Sequence, residues 1–211
     1  MKYLYNPPVV VKKIFNDFQW NTLNKKILLT FDDGPNIETT ERILDTLNLF
    51  GTKAIFFCVG SNIKKNPSLV DLILSDGHEI GNHTYNHLKI DKLRSNRLHE
   101  EIDTVSSILN EKHNYCPRYF RPPYGRFNFL TSKILREKKL RNVMWSLFTF
   151  DYKSDLNVVK FVIKNYLEKD SIVVFHDNLK SREVIIQALD FLFEEACKKN
   201  FEIGMPAGCL K

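Results

Sequence analysis

Ile27-Leu28-Leu29-Thr30-Phe31-Asp32-Asp33-Gly34-Pro35 runs from an apolar segment straight into a polar turn. Its first half is apolar without alternation, the pattern of a strand covered on both faces, as in a parallel sheet. Its second half is a turn built from Asp, Gly and Pro. The same grammar recurs downstream. Ala54–Val59, His78–Asn82, Tyr119–Arg121, Asn142–Leu147, Ser171–Phe175 and Phe201–Ile203 are short segments rich in β-branched and aromatic residues, and each reads as a strand.

Helical stripes lie between them. Ile43, Leu44, Leu47 and Phe50 form one, stopped by Gly51. Asn66-Pro67 opens a second, carrying Leu69, Val70, Ile73 and Leu74 and ended by Gly77. Leu98, Ile102, Val105 and Leu109 stripe a longer helix beginning near Asp91, and Leu130, Ile134 and Leu135 mark a fourth. Asp155 is placed to cap a fifth and Ser181 the last. This alternation predicts either a barrel or a doubly wound parallel sheet. Residues 1–25 read as an N-terminal extension packed on a domain formed by residues 26–211.

Composition sets the outer limits. A chain of 211 residues, 43% hydrophobic and 27% charged, can bury one large core. No stretch is long and apolar enough to span a bilayer. Pro7 to Val11 is a short apolar run followed at once by Lys12 and Lys13, which does not make a secretory leader. The location expected by default is cytoplasmic, with the cell envelope as the alternative if a leader has been trimmed. The net charge of +6 is scattered, so it reads as a solvated surface and no nucleic-acid partner is expected. Cys58, Cys116, Cys197 and Cys209 are far apart and read as buried free thiols rather than a disulfide framework.

The unusual polar residues fall where strands end. Two histidines four residues apart, His83 and His87 in His83-Thr84-Tyr85-Asn86-His87, can aim both imidazoles at one point if the segment turns helically. Asp32 and Asp33 are adjacent carboxylates that resist joint ionisation unless a cation sits nearby, so one can ligate a metal while the other takes a proton. Three protein ligands leave a position open for water. The segment lacks the Glu of a His-Glu-x-x-His helix, so the base must come from elsewhere, and Asp32 is the candidate. Arg121, in Arg121-Pro122-Pro123-Tyr124-Gly125, could hold that base ionised. The Tyr124 backbone N–H could face a developing oxyanion. His176 ends a buried strand and suits a general acid, its pKa raised if a carboxylate such as Asp151 lies nearby. In a parallel barrel all these positions converge on one rim.

Taken in order, the segments resemble the NodB-type polysaccharide deacetylases, carbohydrate esterase family 4. The resemblance covers roughly residues 26–205. Thr30-Phe31-Asp32-Asp33-Gly34-Pro35 is similar to a first motif whose first Asp is the base and whose second binds the metal. His83-Thr84-Tyr85-Asn86-His87 is similar to a second, with the other two ligands. Arg121-Pro122-Pro123-Tyr124 resembles a third, which lines one wall of the groove. Asp151-Tyr152 falls where a fourth has Asp-Trp, and Val174-Phe175-His176 where a fifth has Leu-x-His with the general acid. Two departures lie in the fourth motif: Phe148 stands where an earlier Asp is common, and Tyr152 replaces Trp. A third is Val174 in place of Leu.

The resemblance implies a distorted (β/α) barrel, often of seven strands, and metal-dependent N-deacetylation of an acetylated amino sugar in a peptidoglycan- or chitin-like glycan. The ion is expected to be zinc, with cobalt, nickel or manganese also suited to Asp33, His83 and His87. Val174, Leu147, Tyr152 and Tyr124 are expected around the substrate. An O-acetyl esterase on the same site and a silent glycan-binding domain are the competing expectations.

Overall fold

Strands β1 (Leu28–Asp32), β2 (Ile55–Cys58), β3 (Glu79–Asn82), β4 (Tyr119–Phe120), β5 (Arg141–Asn142), β6 (Leu147–Phe148) and β7 (Ile172–His176) form one parallel sheet in the order β5-β4-β3-β2-β1-β7-β6. The computed structural model describes residues 5–210. Residues 1–4 of the expected extension and Lys211 of the expected domain lie outside them. The sheet curls into a half-barrel. Among the described residues no helix is long and apolar enough to cross a membrane.

The missing alternation in the strands has a direct cause: both faces are buried. Leu29, Phe31, Phe56, Ile80, Val173 and Phe175 pack outward against helix residues such as Ile43, Leu47, Val159 and Leu189. Their neighbours Leu28, Ile55, Phe57 and Ile172 point inward and meet Tyr119 and Val143 in the barrel. One strand therefore feeds two cores, and each is apolar.

Four expectations about elements are corrected. The strand expected at Asn142–Leu147 is two strands, β5 and β6, on opposite edges of the sheet. The strand expected at Phe201–Ile203 contributes a single bridge, Ile27 to Ile203. The helix expected near Asp91 begins at Ser95 and runs Ser95–His113, after a short 3-10 turn at Ile90–Lys92. The last long helix is Ile185–Lys198, and Ser181 lies before it, its hydroxyl donating to the His176 carbonyl at 2.5 Å. The Asp155 cap is as expected: its carboxylate accepts from the N–H groups of Asn157 and Val158. All four cysteines are free, but only Cys58 and Cys209 are buried; Cys116 and Cys197 are exposed.

The edges of the sheet meet through a short segment. Only residues 143–146 separate β5 from β6, and those five steps can span no more than ~18 Å. The two edges must therefore come close, which is what bends the sheet. Residues before β1 cover this seam. Gln19 donates to the Asn142 carbonyl and accepts from Met144, each at 2.8 Å. Phe18 and Trp20 are buried with Met144.

Candidate active site

Because every strand runs the same way, the residues after β1, β3, β4, β6 and β7 open on one rim. Asp32 and Asp33 leave β1, His83 follows β3, Arg121 follows β4, Asp151 follows β6, and His176 ends β7.

Arg121 is fully buried and divides its guanidinium among four acceptors. Its Nη1 donates to Asp32 Oδ1 at 2.8 Å and to Thr30 Oγ1 at 2.7 Å; its Nε and Nη2 donate to the Val143 and Met144 carbonyls at 2.8 Å each. The guanidinium also lies 4.2 Å above the Phe57 ring. A planar fork with fixed donors suits this inventory, and an ammonium would not. The same residue's carbonyl accepts from His83 Nδ1 at 2.7 Å. A carbonyl only accepts, so Nδ1 carries the proton and Nε2 is left with its lone pair. Burial pushes the His83 imidazole down to about 4, so it is neutral at neutral pH.

His83 Nε2 and His87 Nε2 lie 3.7 and 3.1 Å from Asp33 Oδ1. A tetrahedral ion with bonds of about 2.0–2.1 Å sets its ligand atoms roughly 3.3 Å apart, so these separations suit one metal. The three donor atoms all lie within 4.8 Å of one another, and they are one carboxylate and two imidazoles, a donor set that zinc accepts. Burial pushes the Asp33 carboxyl up, yet the hydrogen bond with His87 and the positive charge of His176 outweigh it and hold it well below the carboxylate range.

The histidines do not converge through a helix. Residues 83–87 form an irregular loop with Thr84 and His87 at φ of 64° and 55°. The loop is clamped instead. The buried Glu101 carboxylate accepts from the Asn86 backbone N–H and side-chain amide at 2.8 Å each, and Asn82 Oδ1 accepts from the Thr84 N–H at 2.9 Å.

His176 Nδ1 meets Asp151 Oδ1 at 2.7 Å, and the other oxygen of Asp151 accepts from the His176 N–H at 2.7 Å. Burial works against the imidazolium, but the Asp151 charge and hydrogen bond, with Asp33 and Asp32 behind them, raise its pKa to about 9. Nε2 is then the proton it can give. Phe148 and Tyr152, the two departures in the fourth motif, both stand edge-on to this ring, at 5.5 and 5.1 Å. Tyr124 takes φ 58° in a tight turn, and its exposed ring lies 4.6 Å from that of His87.

The expected substrate contacts divide. Val174 and His176 share one face of β7, since they are two residues apart. Leu147 does not line the groove: it pairs with Val173 and packs with Val159 and Ile163 in the helix-side core. The strand alternation puts its neighbour Phe148 on the other side.

Several supporting residues were not found from sequence. Asn178 donates from Nδ2 to Asp33 Oδ2 at 2.7 Å, and Asn62 donates to the Asp33 carbonyl at 2.7 Å. Asp177 is buried between the Thr39 and Thr40 hydroxyls, which donate to it at 2.5 and 2.6 Å, and burial pushes its carboxyl up to about 7. A Cβ on Gly34 would lie 2.3 Å from Asp177 Oδ2, so only glycine fits that turn. The position of Asp177-Asn178 directly after His176 was a usable signal. Glu101 gave none, since a Glu within a helical stripe ordinarily faces water.

Residues 20–143 match the family model of polysaccharide deacetylases. A peptidoglycan-N-acetylglucosamine deacetylase of Bacillus cereus is 41% identical over 128 residues, 61% of this chain and 46% of that protein, so the chain spans under half its length. Another B. cereus protein of the same name is 35% identical over 184 residues, 84% of this chain and 85% of its own length. Among solved structures, the Bc1960 peptidoglycan N-acetylglucosamine deacetylase in complex with 4-naphthalen-1-yl-N-oxidanyl-benzamide superposes with a TM-score of 0.88 at 28% identity, covering 96% of each chain.

Proposed function

The chain belongs to the polysaccharide deacetylase family, the NodB-type carbohydrate esterases of family 4, and from that premise we propose that it hydrolyses N-acetyl groups from the amino sugars of a peptidoglycan- or chitin-like glycan. The observation that carries the reading is the meeting, on one rim, of an Asp33–His83–His87 triad with an Arg121-held Asp32 and an Asp151-held His176. The similar proteins named above support the substrate class.

Asp33, His83 and His87 would hold a divalent ion, zinc first among those suited to one carboxylate and two imidazoles. When bound, such an ion supplies a Lewis acid for the acetyl carbonyl and lowers the pKa of water to near neutrality. Asp32, oriented by the Arg121 guanidinium at 2.8 Å, accepts the proton of the attacking water. The Tyr124 N–H faces the oxyanion. His176 gives its Nε2 proton to the departing nitrogen as the C–N bond breaks, and acetate and a free amine leave. An amine leaving group needs that proton more than an alkoxide does, so an acid at this position matters more for an amide than for an ester. A silent binding domain has no use for either the base or the acid.

The test is a split between two adjacent carboxylates. Asp33→Ala should lose bound metal and acetate release together. Asp32→Asn should keep the metal, measured by elemental analysis, and lose at least ~100-fold in turnover on N-acetylglucosamine oligomers. Full turnover in either variant, or metal lost from Asp32→Asn alone, would contradict the roles of ligand for Asp33 and base for Asp32.

A further inference from the structure

We propose that Asn178 is a positioning residue that makes Asp33 a one-oxygen ligand, by occupying the oxygen turned away from the histidines. The inference rests on the metal reading above. The two oxygens of Asp33 are divided between different partners. Oδ1 faces His83 and His87 at 3.7 and 3.1 Å, whereas Oδ2 accepts from Asn178 Nδ2 at 2.7 Å. The Asp33 carbonyl is also taken, by Asn62 at 2.7 Å. Only Oδ1 is left to point at the ligand set, from a residue that sits in a turn at φ 78°.

Asn178 is itself fixed from behind. Its Oδ1 accepts from the N–H groups of Lys180 and Ser181 at 2.9 and 3.2 Å, which orients the amide so that Nδ2 faces Asp33. Ser181 Oγ donates to the His176 carbonyl at 2.5 Å, with the Asn178 carbonyl 3.0 Å away. The Asp177 N–H donates to the Asp32 carbonyl at 2.8 Å. One turn after β7 therefore registers the acid His176 against the carboxylate Asp33. A carboxylate free to rotate could offer both oxygens and fill the position that water or substrate needs. A partner on Oδ2 prevents this, and groups of this kind commonly govern metal affinity by 10-fold or more.

Asn178→Ser isolates the effect. Its short hydroxyl can still accept from Lys180 and Ser181 but cannot reach Asp33. Cobalt is titrated into metal-stripped wild type, Asn178→Ser and Asp33→Ala, with affinity read by competition against a chromophoric chelator and coordination read from the visible spectrum. Asn178→Thr, which keeps the same short acceptor, is measured in parallel should the serine variant fold poorly. Expected are roughly 10-fold weaker cobalt binding and a weakened visible band, as a second carboxylate oxygen raises the coordination number, with metal-free melting unchanged. Wild-type affinity together with a wild-type spectrum in a folded Asn178 variant would overturn the proposal. Equal binding by wild type and Asp33→Ala would instead overturn the metal reading beneath it.

Discussion

At the scale of single residues, the site is a set of paired charges in which each partner is aimed by a second contact. Arg121 serves two neighbours at once: its side chain holds Asp32 and its carbonyl holds the tautomer of His83. Asp151 likewise uses one oxygen on the His176 ring and the other on its backbone N–H. The sign of the pH dependence follows. In the proposed role of acid, His176 can act only while protonated, so turnover should fall as pH rises through about 9. Asp151→Asn removes the charge that offsets burial, so the alkaline limb of kcat should move to lower pH, with kcat at pH 8 reduced by about 10-fold or more. A pH–rate profile with an unmoved alkaline limb would remove His176 from the acid role.

At the scale of elements, His83 and His87 sit on a loop whose geometry is imposed by its neighbours. The spacing of His83 and His87 was legible, and so was their convergence, but the expected helical turn was not the means. Two positive-φ residues and the Glu101 clamp bring them together, and neither leaves a pattern in the sequence. Glu101 is 1% exposed and also meets Arg97 at 2.8 Å, so all its partners are donors. Glu101→Gln keeps the shape but turns one acceptor into a donor against them. It should cost about 1–3 kcal/mol of stability, read as a lower urea midpoint at unchanged m. A midpoint equal to the wild type would show that the clamp does not hold the loop. Leu147 failed as a groove residue for a related reason: alternation is readable along a strand, but a two-residue strand does not reveal which side its first residue takes.

At the scale of the whole molecule, the parallel character of the sheet and the gathering of polar residues on one rim were legible from apolar runs ending in polar ones. The curled, seven-stranded closure is as the family resemblance implied, but the apolar runs themselves left a barrel and a doubly wound sheet open. Residues 142–147 read as one strand because the seam between β5 and β6 is as apolar as the strands beside it. The seam is where Arg121 ends its hydrogen bonds, at the carbonyls of Val143 and Met144, so the segment that joins the two sheet edges also seats the guanidinium that holds Asp32. Fold and chemistry are thus joined at one buried cation. The reaction proposed for this rim is the metal-assisted removal of acetyl groups from nitrogen. It is tested most directly by incubating metal-loaded protein with N-acetylglucosamine oligomers and with an O-acetylated xylan, with and without chelator, and following free amine and acetate by mass spectrometry. Amine and acetate are expected in equal amounts from the oligomers, abolished by chelator and restored by added zinc. Acetate from xylan alone, or amine release indifferent to chelator, would contradict it.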